Sequence, residues 1–156
     1  MLIMNYWLMK SEPYDYSFDD LKNEADSTAE WDGVRNYQAR NFLRDEIKIG
    51  DMILYYHSNS KPSGIVGTAT VVKEGYPDYT AWDPDSDHPD ERSTPDNPIW
   101  YMVDIKAHKT FKRMISLAEI KADEFLSDMV LVRNSRLSVQ PVAEEYFEYI
   151  CSLATG

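Results

Sequence analysis

An α+β domain with a curved, mostly antiparallel sheet is the fold class predicted by three features of this sequence. Runs rich in β-branched and aromatic residues occur at 52–57 (MILYYH), 65–75 (IVGTATVVKEG) and 99–111 (IWYMVDIKAHKTF). Loops join them, not long helices, which favours antiparallel pairing and a sheet that curves or closes into a small barrel. Short amphipathic stretches lie on either side. At 156 residues the chain suits a single domain, 1–156, with one core.

Each element has its own signal. Residues 2–9 (LIMNYWLM) read as a buried first strand. Residues 17–25 read as a short helix that Ser17 caps, with Asp19 and Asp20 at its positive end. Residues 37–47 read as a longer helix, capped by Asn36, with Ala39, Phe42, Leu43 and Ile47 as its apolar stripe. Gly33 lets the preceding loop turn tightly, and Gly50-Asp51 makes a turn. Residues 58–64 are a loop. Gly67 inside its strand marks a bulge or a close backbone approach. Five prolines between 76 and 98 make a long loop. Residues 116–122 read as a helix and 131–142 as irregular. Pro141 then opens a last helix over 142–153, with Val142, Tyr146, Phe147, Ile150 and Leu153 on its apolar face.

Composition narrows the function. No apolar run reaches the roughly 18 residues of a membrane span, and the apolar start has no basic region or cleavage site. The single cysteine, Cys151, excludes an internal disulfide and fits a reducing cytoplasm. A net charge of −11 runs against the basic balance usual for nucleic-acid binders. The charge is uneven, however. Residues 12–30 carry −6 and 74–98 carry −7, whereas 31–73 carry +2.

Most catalytic and cofactor motifs are missing. There is no glycine-rich phosphate loop, and the histidines and the cysteine do not pair at zinc spacing. No metal or cofactor is expected. His88 reads as a solvated loop residue, His108 as a surface residue and Cys151 as an inert helix side chain. Ser11, Glu12 and His57 could be drawn as nucleophile, acid and base, but no nucleophile elbow surrounds Ser11.

The positive signal is WDGVRNYQARN (31–41). A helix beginning near Asn36 presents unpaired N–H groups to an anion or carbonyl. Arg40 and Arg44 share one face, and Tyr37 and Asn41 another. Trp31 precedes a glycine loop, so its indole need not be buried, and an indole ringed by amides can stack on an extruded base. The competing reading makes Trp31 core and pairs the arginines with Asp32, Asp45 and Glu46. Three further stretches carry polar groups: strand ends in WLMKSEP (7–13) and YYHSNSK (55–61), and Arg133, Arg136 and Ser138 of RNSRLSVQPV (133–142) just before the last helix.

These motifs, in order and with the GD-x₄-YHS spacing of Gly50, Asp51, Tyr56, His57 and Ser58 and the STPDNPIWYMVDI run (93–105), resemble EVE-domain proteins. The resemblance is to the stand-alone bacterial form, similar to the thymocyte nuclear protein family of eukaryotes. It implies a PUA-like fold, a twisted sheet closing toward a barrel, related to readers of methylated adenine in RNA and of modified cytosine in DNA. It implies a non-catalytic reader of a modified base, chiefly modified cytosine, in DNA or RNA. The ligand-binding residues it implies are Lys10, Ser11 and Glu12; Trp31, Arg35, Asn36, Tyr37, Gln38 and Asn41; Tyr56, His57 and Ser58; and Arg136 and Ser138. Trp31 or Tyr56 would stack on the base, and Arg35, Arg40 and Lys61 would hold flanking phosphates. The basic N-terminal tail of eukaryotic relatives is missing here, which places this chain as a minimal, bacterial, cytoplasmic form; a monomer is expected. Two other readings stand beside this one. In the first, Lys10, Glu12 and His57 serve an enzyme acting on a nucleotide. In the second, the acidic 76–98 loop docks a basic protein.

Overall fold

A computed structural model describes residues 4–134 and 136–155. In chain order its main elements are β1 (Tyr6–Ser11), α1 (Phe18–Lys22), β2 (Thr28–Glu30), α2 (Tyr37–Asn41), β3 (Met52–His57), β4 (Gly64–Pro77), β5 (Tyr101–Ser116), α3 (Leu117–Ala122), α4 (Val130–Arg133), β6 (Val139–Val142) and α5 (Glu144–Thr155). They build a mixed α+β architecture on one six-stranded sheet in the order β2-β5-β4-β3-β1-β6.

The pairing is mostly antiparallel, as predicted. The exception is β1 against β3, which run parallel from Tyr6↔Met52 to Ser11↔His57. The predicted closure into a barrel does not occur. β2 and β6 are the two edges, and no pairing joins them. Each is short, three and four residues, so the sheet offers little backbone along which to close. Three register shifts bend β4 against β5 beyond Gly67, so the curvature is real without closure. Gly67 sits at a close approach as its position suggests. A Cβ there would stand 2.6 Å from the Lys109 carbonyl oxygen and from the Phe18 ring.

Two cores sandwich the sheet. One joins Trp7, Met9, Phe18, Trp31, Leu43 and Tyr55 on the face covered by α1 and α2. The other joins Leu8, Leu54, Tyr56, Ile65, Ile120 and Ile150 beneath α3, α4 and α5. Alternation along β3 explains the split, since Tyr55 and Tyr56 point to opposite faces.

The helix signals were good locally. Ser17 caps α1 in a full capping box with Asp20. Asn36 caps α2, its Oδ1 accepting from the Ala39 N–H at 2.9 Å. The 37–47 helix changes hand-hold half-way. After Asn41 it widens into a π-type turn over Phe42–Glu46, closed by the Ile47 N–H on the Phe42 carbonyl at 2.9 Å. The last third needs two corrections. Residues 131–142 are not wholly irregular, because they hold most of α4 and all of β6. Pro141 does not open a helix but sits in β6 opposite Trp7. An edge strand tolerates a residue without an N–H. The helix begins later, at Glu144, and buries Phe147, Ile150 and Ala154. Among the described residues no helix is long and apolar enough to cross a membrane.

Candidate functional site

The Gly33 loop is held by the acidic loop that follows β4. Asp78 is fully buried and accepts from the Gly33 N–H at 2.8 Å and from Arg35 Nη1 at 2.9 Å. Thr80 adds a backbone N–H at 2.9 Å and its hydroxyl. Burial alone would push the Asp78 carboxyl up, but these donors outweigh it and hold it below the ordinary range. Arg35 Nη2 and Nε also donate to the His88 carbonyl, at 2.8 and 3.3 Å. Gly33 has a φ of +80°, and a Cβ on it would lie 3.1 Å from the His88 ring. Only glycine meets both demands. The 76–98 loop therefore braces the chain around Gly33 from inside. Its Asp90 also faces inward, accepting from the Trp100 indole at 2.7 Å.

Beside this brace lies a cleft of about 840 Å³. Trp31 forms one wall, with Ala29 and Val34. Lys10 and Ser11 from the end of β1, and Ser138 from the start of β6, form another. These two chain ends are tied, since the Lys10 N–H donates to the Ser138 carbonyl at 2.9 Å. Tyr16, Glu24, Glu30, Asp32 and His88 are also in the lining, with Gly33, Arg35, Asp15 and Asp87. Tyr16 Oη is shut off from solvent, and among the described residues no hydrogen bond within ordinary limits reaches it. Burial, and then the Glu24 carboxylate beside it, push that phenol up. Burial also raises Asp32, against the lowering effect of His88 Nε2 at 3.6 Å from Asp32 Oδ2. Burial lowers Lys10.

Five of the residues singled out from sequence meet in this cleft: Lys10, Ser11, Trp31, Arg35 and Ser138. The Trp31 indole corrects the expectation that it could stand clear of the core. It is only 8% exposed and packs edge-on against Tyr55 at 5.4 Å, so it serves core and cleft together. The pairing expected in the competing reading holds for Arg44 with Asp45 at 2.8 Å, whereas Arg35 reaches the distant Asp78.

The other candidates lie outside the cleft lining. Tyr56 is 3% exposed in the core on the opposite face, with Lys10 Nζ 5.6 Å from its ring centre. Asn36 is occupied as the helix cap. Tyr37 packs on Trp100 at 4.9 Å, and Arg40 covers its ring while donating to the Ile99 carbonyl at 2.6 Å. Asn41 accepts from Arg40 Nε at 2.8 Å. Gln38, Lys61 and Arg136 are exposed. Ser58 ties its N–H to the Ser11 carbonyl at 3.0 Å. The drawn triad is not assembled. Ser11 Oγ donates to the Tyr16 carbonyl at 2.7 Å, Glu12 accepts from Asn59 Nδ2 at 2.6 Å, and His57 Nε2 accepts from the Phe18 N–H at 3.1 Å.

Sequence reasoning missed Tyr16, Asp32 and His88 as lining groups. His88 is not a plain solvated residue, because its Nε2 lies 2.9 Å from Thr80 Oγ1 and its ring covers Gly33. A histidine among loop acids gave no periodic signal to find it by.

The EVE domain family model matches residues 5–153. The chain belongs to the EVE domain family. Thymocyte nuclear protein 1 of Homo sapiens is 44% identical over 168 residues, covering 97% of this chain and 74% of the relative. Among EVE structures, that of human THYN1 protein in complex with 5-methylcytosine containing DNA superposes with a TM-score of 0.92, at 43% identity, over 97% of this chain and 98% of that one. A Pseudomonas syringae protein superposes with a TM-score of 0.89 at 45% identity, over 96% and 99%. An ASCH protein mutant from Zymomonas mobilis, 11% identical with a TM-score of 0.57, shares the fold alone.

Proposed function

We propose that this EVE domain is a non-catalytic reader that takes a modified cytosine, extruded from a DNA strand, into the Trp31 cleft. The observation that carries the reading is the lining itself. One tryptophan wall stands beside hydroxyls and carboxylates; of the basic residues Lys10 and Arg35, Arg35 is committed to protein acceptors and Lys10 has its ammonium 5.6 Å from the Tyr56 ring centre. Carboxylates repel phosphate but accept from an exocyclic amino group, and an indole stacks on a base. A base, not a phosphate, fits such a cleft. The complex of human THYN1 with 5-methylcytosine containing DNA supports the choice of ligand and of DNA. Of the two stacking candidates, Trp31 takes the role, because Tyr56 faces the other core.

Phosphate contacts then fall to Lys61 and Arg136, since Arg35 and Arg40 hold carbonyls and Asp78. With about two phosphates neutralised, the slope of log affinity against log salt is about −2 on duplex DNA. Fluorescence anisotropy on short labelled oligonucleotides tests both statements. A tenfold preference for 5-methylcytosine over cytosine, about 1.4 kcal/mol, with that shallow slope, is the expected result. Equal binding of both, with a steep slope, would make this a non-specific phosphate binder and reject the reading.

A further inference from the structure

We infer that Asp32 is the specificity-determining residue of this cleft, accepting the exocyclic amino group of the base and so separating 5-methylcytosine from thymine. The inference rests on the modified-cytosine reading and names the group that enforces it. The two bases share the 5-methyl group and the O2 carbonyl. They differ at position 4, an amino donor in one and a carbonyl acceptor in the other, and correspondingly at N3. A stacking wall and a methyl contact cannot tell them apart. A fixed acceptor at position 4 can, because facing a carbonyl it would leave two acceptors opposed without a proton.

Asp32 is the carboxylate placed for this. It directly follows the Trp31 wall, and its backbone is held on both sides. The Trp31 N–H donates to the Val103 carbonyl at 2.8 Å, and the Gly33 N–H to buried Asp78 at 2.8 Å. The backbone that carries the acceptor is thus pre-organised for the base. Among the described residues no other residue donates a hydrogen bond to its carboxylate. The nearest basic side chain, His88, has its Nε2 3.6 Å away, and the Asp32 side chain is 40% exposed. The rival acceptors are engaged or peripheral. Glu30 Oε1 accepts from the Tyr79 hydroxyl, and its Oε2 lies 3.2 Å from the Tyr76 hydroxyl, whose proton goes to the nearer Asp104. Asp78 is turned to Gly33 and Arg35. Glu24 stands beside the Tyr16 phenol, and Asp15 and Asp87, unlike Asp32, do not adjoin the Trp31 wall in the chain.

The test uses single-stranded oligonucleotides, in which no pairing partner competes. Each differs at one position: 5-methylcytosine, cytosine, thymine, or 5-methyl-2-pyrimidinone, which keeps the methyl and O2 but lacks the amino group. The wild-type chain is expected to favour 5-methylcytosine at least tenfold over both thymine and the pyrimidinone. In Asp32→Asn, whose amide can donate to O4 as well as accept, the preference over thymine should fall below threefold, with the melting temperature unchanged or higher. A wild-type chain that holds the pyrimidinone as tightly as 5-methylcytosine overturns amino-group recognition without needing any variant. A folded Asp32→Asn that keeps the full preference over thymine overturns the assignment to Asp32. In either case the preference of 5-methylcytosine over cytosine can survive, so the modified-cytosine reading is judged separately. Loss of that preference in the wild-type chain overturns the modified-cytosine reading, while thymine and the pyrimidinone still decide amino-group recognition.

Discussion

Replacing Asp78 with alanine is expected to lower the melting temperature by about 6–12 °C and to weaken base binding at the same time. Asp78 is a fully buried carboxylate with three separate donors, the Gly33 N–H, Arg35 and Thr80. Removing it leaves Arg35, whose side chain is 22% exposed, without its counter-charge, and frees the Gly33 loop. Breaking one side of a buried ion pair costs about 3 kcal/mol or more. For a chain of this size each kcal/mol is about 2–4 °C. The cleft should suffer too, because Trp31 and Asp32 sit on the segment that Asp78 holds. The pH dependence has a definite sign. The folded Asp78 pKa lies below its unfolded value, so its contribution is present above the unfolded pKa and is lost as the pH falls through the folded one. The alanine variant should therefore show a flatter acid limb in melting temperature than the wild-type chain. A variant that melts and titrates like the wild type would show that the brace is not needed.

Trp31 carries the second large effect, and its two roles can be separated. With 8% exposure in the core containing Tyr55, Trp31→Ala is expected to cost about 3–5 kcal/mol of stability through the cavity it leaves. Its loss of binding would then be ambiguous. Trp31→Leu keeps apolar volume in the core and removes the aromatic face. Stacking on a base is worth about 1–3 kcal/mol, so the leucine variant, measured where thermal melts show it folded, should bind a 5-methylcytosine oligonucleotide at least about fivefold more weakly. Equal affinity would leave Trp31 as a core residue only.

Local chemistry explains what could be read in advance. The caps at Ser17 and Asn36, the strands at 52–57 and 65–75, and the close approach at Gly67 depend on near neighbours, which a sequence displays. Polar residues after the apolar run of β1, and others in the stretch before the last helix, point to Lys10, Ser11 and Ser138, which do meet at the cleft. What stayed hidden depends on long-range pairing. β6 is four residues that become a strand only because β1 lies beside it, and the proline within it suggested a helix start instead. Asp78, 43 residues from Arg35, looked like one of many solvating acids, because the acidity of its loop masked the carboxylates that turn inward. Asp51 is similar. It read as a turn residue, yet it is buried and accepts from the Trp7 indole at 2.9 Å. The two tyrosines of β3 show the opposite limit. Alternation placed them on opposite faces, but only the packed structure shows which face holds the cleft.

The most direct measurement is a ¹H–¹⁵N correlation spectrum of the labelled chain, titrated with a short DNA strand carrying a single 5-methylcytosine and then with its unmodified twin. Indole signals give a built-in contrast, since Trp7 and Trp100 donate to Asp51 and Asp90 while Trp31 lines the cleft. The account predicts that the modified strand shifts the Trp31 indole and the amides of 31–35, Lys10, Ser11 and Ser138, with weaker changes from the unmodified strand. Shifts confined to the opposite face, around Tyr56 and α5, or identical shifts from both strands, would contradict it.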